Sequence, residues 1–352
     1  MPRKKISVLI VEDTLVAQQL LKGIVLSDDR FELLGTVANG KQAVDFVKKF
    51  QPDVVSMDIS MPVMDGVEAT RQIMRECPVP VVIVSNFFQS SEIDMTITVM
   101  QAGAVSFISI PFGPNHPEFN KSARQYLNTL LLMSEIKVVK RRNIVGAKTK
   151  PLPTIQPDVQ KTDEKEYKIL AIGASAGGPE GLATILSGLP ADFPLPVCIV
   201  QHIDSHFSEG FVTWLNGYSK LPVHIAVNGQ KILPGNVYLP PGDHHLLVAG
   251  NGTIVTSKDL IPKGLRPSVS VLFNSIANVF GRNSVAVLLS GMGKDGAAEL
   301  KLLFDLGAFT MVQSESSSLV FGMPGEAVKL GAACKILAPS EIVADINRLI
   351  NL

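Results

Sequence analysis

Short runs of aliphatic residues alternate with helical spacing along most of the sequence, and this alternation restricts the fold more than any other feature. Helical segments carry apolar residues three or four positions apart, as at Val16, Leu20 and Ile24. Parallel strands need a crossover connection, usually a helix, so the alternation predicts parallel sheets with helices on both faces. The first strands are predicted at residues 6–11, 32–37, 53–58, 80–85 and 105–109.

The alternation stops at residues 140–166, which are rich in charge, Pro, Thr and Gln and show no periodicity. Such a composition is typical of an extended linker. A chain of 352 residues also fits two domains better than a single core. We therefore predict a first domain at 1–132, a linker at 133–166 and a second domain at 167–352.

The second domain repeats the strand–helix pattern with one interruption. Buried strands are predicted at 168–173, 197–201, 284–290 and 308–312. Shorter strands between them are predicted at 223–227, 236–239, 245–249 and 253–256, and turns such as Pro-Pro-Gly-Asp bound these strands. This part predicts an antiparallel hairpin excursion. The expected fold class is α/β, with two doubly wound parallel-sheet domains and the excursion in the second.

The composition restricts the partners and the compartment. The 32 basic residues equal the 32 acidic residues in number, which argues against a nucleic-acid partner. Three separated cysteines without CxxC spacing predict buried thiols in a reducing compartment. The N-terminus lacks the long apolar segment of a signal peptide, and no apolar run approaches the ~18 residues of a membrane helix. We therefore predict a cytoplasmic protein without membrane insertion.

Carboxylates follow two buried strands of the first domain. Glu12 and Asp13 end the first strand, and Asp58 ends the third. Ligands of doubly wound sheets bind at the carboxyl ends of strands, near the point where the strand order reverses. Three carboxylates at that edge would repel one another without a cation, and an all-oxygen set suits Mg²⁺. The pattern predicts a magnesium site there, although each acid alone could simply begin a solvated loop.

A glycine-rich turn, AIGASAGGPEG, joins a strand to a helix in the second domain. It could hold a phosphate, or it could hold a nucleophile, since Gly173 to Gly177 match the nucleophile elbow G-x-S-x-G with Ser175 at its centre. A dinucleotide site is the weaker alternative, because Ser175 occupies the second glycine position of G-x-G-x-x-G. The local sequence leaves the phosphate and the nucleophile open.

A nucleophilic serine needs a base and an orienting acid. Five histidines of the second domain are candidates for the base: His202, His206, His224, His244 and His245. Position favours His202, which directly follows a buried strand, whereas we expect His224 to be structural or at the surface, and His244 and His245 to lie solvated in a turn. Asp295 follows another buried strand, and its simplest role would be an N-cap of the next helix. The order Ser, His, Asp differs from that of the α/β-hydrolases.

The first domain resembles response-regulator receiver domains. The motifs VLIVEDT, MDISMPVMDG, VVIVSNF and QAGAVSFISIPF carry the resemblance over residues 5 to about 130. It implies a flavodoxin-like fold in which Asp58 accepts a phosphoryl group from a histidine kinase. It also implies that Glu12, Asp13, Asp58 and the backbone carbonyl of Ser60 hold Mg²⁺.

The same resemblance assigns two switch residues and exposes one departure. Ser85 would hydrogen-bond the phosphoryl group, and Phe107 would change rotamer on activation. Receivers carry a lysine before a cis-proline in the fifth loop, but this chain has Ile110 before Pro111. Metal coordination does not need the lysine, so the departure concerns the coupling of phosphorylation to the switch.

The second domain resembles the bacterial chemotaxis protein-glutamate methylesterase (CheB) family. The motifs are IGASAGGPEGL, VQHIDSHF, YLPPGDHHLLV, RPSVSVLFNSIA, VLLSGMGKDGAAEL and VFGMPGEAV, in this order over residues 168 to about 338. The family hydrolyses glutamate γ-methyl esters on chemoreceptors and deamidates certain receptor glutamines, with no cofactor for the esterase. Its unphosphorylated receiver blocks the catalytic face.

This resemblance implies a catalytic triad. Ser175 would attack the ester, His202 would take and return the proton, and Asp295 would orient His202. The backbone N–H of Met292 would stabilise the oxyanion. Two positions depart from the usual pattern, with Gly325 in place of an arginine and Ser270 in place of an acid.

Two other classes of function remain as alternatives. A non-catalytic adaptor that docks on receptors or kinase would keep the fold and release no methanol. A DNA-binding response regulator would need a helix-turn-helix pattern or a basic surface, and the second domain has neither in its sequence.

Overall fold

The computed structural model describes residues 5–85, 98–99, 102–136, 138, 166–203, 205–259 and 265–350. The chain divides into two compact units, residues 1–145 and 146–352. Most of the predicted linker at 133–166 lies outside the described residues, so the predicted domain limits stay predictions. No helix in the described ranges is long and apolar enough to cross a membrane.

The first unit contains a parallel sheet of five strands in the order β2-β1-β3-β4-β5. The strands are β1 Ile6–Val11, β2 Phe31–Val37, β3 Val54–Met57, β4 Val81–Ser85 and β5 Ser106–Ser109. The described helices are α1 Leu15–Leu26, α2 Gly40–Phe50, α3 Gly66–Glu76 and α4 Phe119–Ser134. Helix α1 contacts α4 and α2 contacts α3, as in a sheet covered on both faces.

The central strands of this unit are buried because helices cover both of their faces. Val8, Leu9 and Ile10 of β1 have no exposed surface. Tyr126 of α4 is also fully buried, and its hydroxyl donates a 3.0 Å hydrogen bond to the Ser56 hydroxyl in β3. The strand order reverses between β1 and β3, so the carboxyl ends of these two strands form the ligand-binding crevice expected of such sheets.

The second unit contains a seven-stranded parallel sheet in the order β14-β13-β12-β6-β7-β9-β8. The strands of this unit, including a separate hairpin, are β6 Ile169–Ala174, β7 Val197–Gln201, β8 Val223–Ile225, β9 Val237–Leu239, β10 His245–Ala249, β11 Thr253–Ser257, β12 Ser284–Leu288, β13 Phe309–Gln313 and β14 Lys335–Leu337. Its α-helices are α5 Gly178–Gly188, α6 Ser208–Tyr218, α7 Val269–Val279, α8 Ala297–Asp305, α9 Met323–Lys329 and α10 Pro339–Leu349. Short 3₁₀ helices occupy Ser205–Phe207, Gly281–Asn283 and Glu315–Ser317.

The predicted hairpin is confirmed, but it is smaller than the sequence suggested. Among the strands of the described residues, β10 and β11 are the antiparallel pair, and an isolated antiparallel bridge joins Lys231 to Thr253. Strands β8 and β9, which we also assigned to the excursion, extend the main sheet in parallel. The connection between β8 and β9 leaves the main sheet and runs beside the hairpin. There the Gly229 N–H donates to the Ile254 carbonyl, and the Ile254 N–H donates to the Gln230 carbonyl. Strand β9 then pairs with β8 in the same direction.

Strand β6 lies at the centre of this sheet and places the site. Its side chains alternate between the two hydrophobic clusters that flank the sheet, with Ala171 in one and Ile172 in the other. The chain proceeds outward from β6 to β7 on one side and returns to β12 on the other. The carboxyl ends of β6, β7 and β12 therefore meet at the switch point where doubly wound sheets bind ligands.

Candidate functional site

The carboxylates of the first unit come together at the carboxyl ends of β1 and β3. Carboxylate oxygens of Glu12, Asp13 and Asp58 lie within 4.8 Å of one another. Glu12 and Asp58 are buried, with 3% and 8% of their surface exposed, whereas Asp13 is exposed. Burial raises the pKa of both buried acids, and neighbouring carboxylates raise it further. For Asp58, hydrogen bonds from the Ser85 side chain and the Ile59 and Ser60 backbone oppose this rise in pKa.

The residues of this pocket fit a hard divalent cation. Glu12 Oε2 is buried and has no hydrogen-bond partner among the described residues. The charges that act on the Glu12 carboxylate come from Asp58 and Asp13, both negative. A buried, unpaired carboxylate oxygen beside two further carboxylates is the donor set that Mg²⁺ prefers.

The predicted switch residue Phe107 and the departure at Ile110 lie in and just after β5, the strand that pairs with β4. Phe107 is buried in β5, with 7% of its surface exposed. Ile110 is half-buried after β5, and its backbone N–H donates a 3.3 Å hydrogen bond to the Ser85 carbonyl. The Ile110–Pro111 bond is trans, in contrast to the cis bond implied by the receiver resemblance, and the cis peptide of the described residues is Arg266–Pro267.

The glycine-rich turn of the second unit holds Ser175 just beyond the end of β6. The Ser175 N–H donates to the Ser290 carbonyl at 3.0 Å, and its carbonyl accepts from the Gly178 N–H at 2.8 Å. Gly177 has a φ of 74°, and a Cβ there would lie 2.4 Å from Leu319 Cβ. This position therefore needs glycine both for its backbone conformation and for close packing.

His202 and Asp295 form a direct pair at the same edge of the sheet. His202 Nε2 lies 2.8 Å from Asp295 Oδ2, and the His202 N–H donates to the Ala174 carbonyl at 3.0 Å. A carboxylate can only accept, so Nε2 carries the proton and Nδ1 keeps the basic lone pair. Within the described residues, no hydrogen bond joins the Ser175 hydroxyl to His202. Such contacts often tighten only when substrate binds.

Asp295 does not cap its own helix, so the N-cap interpretation of this residue is wrong. Helix α8 is capped by Gly296 and has no side-chain cap. The Asp295 carboxylate instead accepts hydrogen bonds at the N-terminus of α7, from the Ser268 hydroxyl at 2.8 Å and the Val269 and Ser270 N–H groups at 2.6 and 3.1 Å. Of these three residues, our sequence interpretation named only Ser270, as a departure from the family pattern and not as a contact of Asp295.

The surroundings of Asp295 keep its carboxylate ionised. Burial by itself would raise the pKa of Asp295, but hydrogen bonds from His202, Ser270 and Ser268 and the attraction to His202 outweigh burial and lower the pKa below its usual value. The partial positive charge at the start of α7 acts in the same direction. An ionised Asp295 can hold the imidazole of His202 in one tautomer and orientation.

The loop after β12 offers a backbone donor near the serine. The Ser290 N–H donates to Gln313 Oε1 at 2.7 Å, and the Gly291 N–H donates to the Val320 carbonyl at 3.0 Å. The Met292 N–H has no acceptor in the part of the chain that the structure describes. A free N–H in this loop agrees with the oxyanion role expected for Met292, which stays a prediction.

Comparisons with known proteins identify both units. The family model described as CheB methylesterase matches residues 170–346, and the model described as response regulator receiver domain matches residues 8–117. The chain belongs to the CheB methylesterase family. A protein-glutamate methylesterase/protein-glutamine glutaminase of Geobacter metallireducens is 47% identical over 98% of this chain and 99% of that protein. The corresponding protein of Nitrosospira multiformis is 43% identical over 98% of this chain and 97% of its own length.

A solved structure supports the fold of the second unit. The crystal structure of the Thermotoga maritima CheB methylesterase catalytic domain is 33% identical and has a TM-score of 0.50. It covers 52% of this chain and 99% of its own length.

The two departures from the CheB pattern have different surroundings. The Ser270 hydroxyl donates to Glu299 Oε2 at 2.6 Å and accepts from the Gly296 N–H at 2.9 Å, which ties the loop of Asp295 to α7. An acid at position 270 would face the Glu299 carboxylate. Gly325 is buried in α9, and a Cβ there would lie 3.0 Å from the ring of Phe321. The structure shows no further role for Gly325.

The remaining histidines separate into buried and surface positions. His245 is 2% exposed, so the prediction that it is solvated is wrong. It lies in β10, and its Nε2 is 3.1 Å from the Asp259 carbonyl. His224 is half-buried and its Nε2 lies 3.0 Å from Asn236 Oδ1, which agrees with the expected structural or surface position. His244 was expected to be solvated, and it is half-buried, with its Nδ1 2.7 Å from the Gly242 carbonyl. The side chain of His206 lies outside the described residues.

Proposed function

We propose that this chain is a serine esterase that hydrolyses glutamate γ-methyl esters on chemoreceptors and deamidates receptor glutamines, under the control of receiver phosphorylation. The observation that carries the proposal is the hydrogen bond of 2.8 Å between His202 Nε2 and Asp295 Oδ2. His202 directly follows β7, the strand that pairs with β6, and Ser175 directly follows β6. The names of relatives that span nearly the whole chain support the substrate class.

The proposed reaction uses the three side chains in turn. Ser175 Oγ attacks the γ-carbonyl carbon while His202 Nδ1 takes the hydroxyl proton. The Met292 N–H stabilises the oxyanion, and Asp295 stabilises the imidazolium. The intermediate then expels methoxide, which leaves as methanol with the proton from His202. Water, activated by the same nitrogen, hydrolyses the acyl-enzyme and leaves a free glutamate. A glutamine substrate follows the same path and releases ammonia.

The first unit would regulate this activity through Asp58. Its carboxylate oxygen accepts the phosphoryl group of a histidine kinase, and the bond from phosphorus to the donor breaks as the new bond forms. Glu12, Asp13, Asp58 and the Ser60 carbonyl would hold Mg²⁺, which supplies positive charge against the carboxylate and the incoming phosphoryl group. Ser85 donates a hydrogen bond to the phosphoryl group, and Phe107 changes rotamer. Because the substrate glutamates lie on cytoplasmic receptor helices, we place the chain in the cytoplasm.

Release of methanol from membranes that carry methylated receptors tests the proposed function directly. The purified full-length chain should release methanol, and a small phosphodonor such as acetyl phosphate should increase the rate. A non-catalytic adaptor would bind the membranes and release none. Absence of methanol with and without phosphodonor would rule out the esterase.

Magnesium should stabilise the first unit at neutral pH. The folded pKa values of Glu12 and Asp58 are raised. Their contribution to stability is therefore fully present below the unfolded pKa values and lost as the pH rises through the folded values. A bound cation offsets this loss. At a cation concentration 100 times the dissociation constant, binding adds about 2.7 kcal/mol to the free energy of unfolding. We expect Mg²⁺ to raise the melting temperature at pH 7 and to have less effect near pH 4.

Glu12→Gln tests whether this pocket is where magnesium binds. It replaces the buried carboxylate whose Oε2 lacks a partner among the described residues. The shift in melting temperature caused by Mg²⁺ should shrink in this variant. An equal shift in both proteins would place the cation elsewhere.

Ile110→Lys should increase the stimulation of the esterase by a small phosphodonor. Ile110 is joined by its backbone to Ser85, which hydrogen-bonds Asp58, so an ammonium at this position can reach the phosphoryl group. We expect the ratio of stimulated to basal methanol release to rise on the order of 5-fold, the lower range of allosteric coupling. Phe112→Lys, which adds the same charge at a 47% exposed position two residues away, is the control. Equal stimulation in wild type and Ile110→Lys would show that the lysine is not needed.

A further inference from the structure

Gln201 is a buried residue that contacts the backbone of both reacting segments. It ends β7 and is 2% exposed. Its Nε2 donates to the Ser175 carbonyl at 2.9 Å and to the His202 carbonyl at 3.0 Å. The side chain therefore joins the turn of the nucleophile to the segment of the base.

The chemistry of the contacts determines the orientation of the amide. Both partners are carbonyl oxygens, which accept hydrogen bonds, so the NH₂ group of Gln201 must face them. The Oε1 atom then points the other way, where it is buried without a partner among the described residues. A Cβ on Gly178 would lie 2.7 Å from this oxygen, so the glycine leaves the space that the amide needs.

The unpaired oxygen argues against a purely stabilising role. Burying a carbonyl without a hydrogen bond costs about 1–3 kcal/mol, and native proteins keep few such groups. An apolar side chain of similar length would fill the same volume without this cost. The cost of the unpaired Oε1 atom is explained if the two hydrogen bonds of Nε2 have a role other than stabilising the fold.

We propose that Gln201 is a positioning residue, which holds Ser175 at a set distance from His202 for the reaction proposed above, and this inference rests on that proposed function. Backbone pairing between β6 and β7 ends at Ala174 and Gln201. Beyond it, the His202 N–H still reaches the Ala174 carbonyl. The amide of Gln201 adds the next link between the two segments, at the residues that carry the nucleophile and the base.

Loss of this link should reduce turnover more than binding. Gln201→Met keeps the length of the side chain, removes the unpaired oxygen and removes both hydrogen bonds. Misplacement of reacting groups by about 1 Å can cost on the order of 100-fold in rate. We expect kcat for methanol release to fall about 10- to 100-fold, with KM changed by less than about 3-fold.

The control is Thr310→Val. Thr310 is fully buried in β13, and its hydroxyl accepts a hydrogen bond from the Cys334 N–H at 3.2 Å. The hydroxyl bonds to neither Ser175 nor His202, so we expect kcat within about 3-fold of wild type despite a lower melting temperature. Equal losses of kcat in the two variants would indicate general loosening and overturn the inference.

Two further measurements keep the inference testable. The rate at which a fluorophosphonate labels Ser175 reports the reactivity of the serine without receptor substrate, and it should fall by a similar factor in Gln201→Met. If wild type is labelled but releases no methanol, the proposed substrate is wrong while the labelling ratio still tests Gln201. Unchanged kcat and labelling in Gln201→Met overturn the positioning role.

Gln201→Asn, whose amide is one methylene shorter, replaces the Met variant if that protein does not fold. Failure of both variants to fold would make Gln201 a structural residue and overturn the inference.

Discussion

Ser175→Ala should lower methanol release from methylated receptor membranes by at least ~10³-fold, because the nucleophile is lost and only oxyanion stabilisation and binding remain. The variant should stay folded. The Ser175 hydroxyl makes no hydrogen bond within the described residues, so its removal leaves no buried donor or acceptor without a partner. The free energy of unfolding should therefore change by less than about 1 kcal/mol.

Ser187→Ala is the matched control for this experiment. Ser187 is exposed on α5, the helix that begins just after the catalytic turn. Among the described residues, its hydroxyl bonds to the Thr184 carbonyl alone. We expect wild-type activity and wild-type labelling by a fluorophosphonate for Ser187→Ala, and no labelling for Ser175→Ala. A Ser175→Ala protein that keeps more than about a tenth of the activity would refute the assignment of the nucleophile.

Asp295→Asn should reduce kcat/KM by about 10³- to 10⁴-fold. In the described part of the chain, four donors hydrogen-bond to the carboxylate: His202 Nε2, the Ser268 hydroxyl, and the N–H groups of Val269 and Ser270. An asparagine has a single acceptor oxygen, so in either orientation its NH₂ group faces two of these donors. The imidazole of His202 then loses either its orientation or the charge that stabilises its protonated form.

The same substitution should destabilise the second unit in a pH-dependent way. The folded pKa of Asp295 is lowered, so its contribution to stability is present above the unfolded pKa of about 3.9 and is lost as the pH falls through the folded pKa. We expect a loss of about 2 kcal/mol at pH 7 that shrinks below pH 4. The control is Asp305→Asn, a residue of α8 whose surface ion pair with Lys301 contributes little to stability. A constant difference between Asp295→Asn and wild type from pH 7 to pH 3 would contradict the ionised carboxylate.

Much of the fold followed from local patterns. The predicted strands at 6–11, 197–201 and 245–249 match β1, β7 and β10 residue for residue. These segments carry their signal in consecutive aliphatic side chains, so no distant residue is needed to interpret them. The pairing of short strands was different, because Val223–Ile225 and Val237–Leu239 resemble the strands of a hairpin and yet join the parallel sheet.

Burial of individual histidines also depended on distant contacts. His245 follows a Pro-Gly-Asp turn, which is typical of exposed positions, but it begins β10 and lies inside the unit. Strand β10 contacts helix α7, whose sequence begins more than twenty residues later. The turn signal was correct for the backbone and gave no information about what covers the side chain.

Local sequence patterns were enough to predict an α/β fold and to place Asp58, Ser175 and His202 directly after strands, because consecutive aliphatic residues mark where each buried strand ends. They also placed Asp295 in the loop that follows another strand. The contacts that hold the site together became visible in the folded chain. Asp295 is held by Ser268 and Ser270 across 27 and 25 residues, and Gln201 reaches the carbonyl of Ser175 across 26 residues. Each of these contacts joins segments that are distant in the sequence, and local sequence patterns carry no information about such pairs.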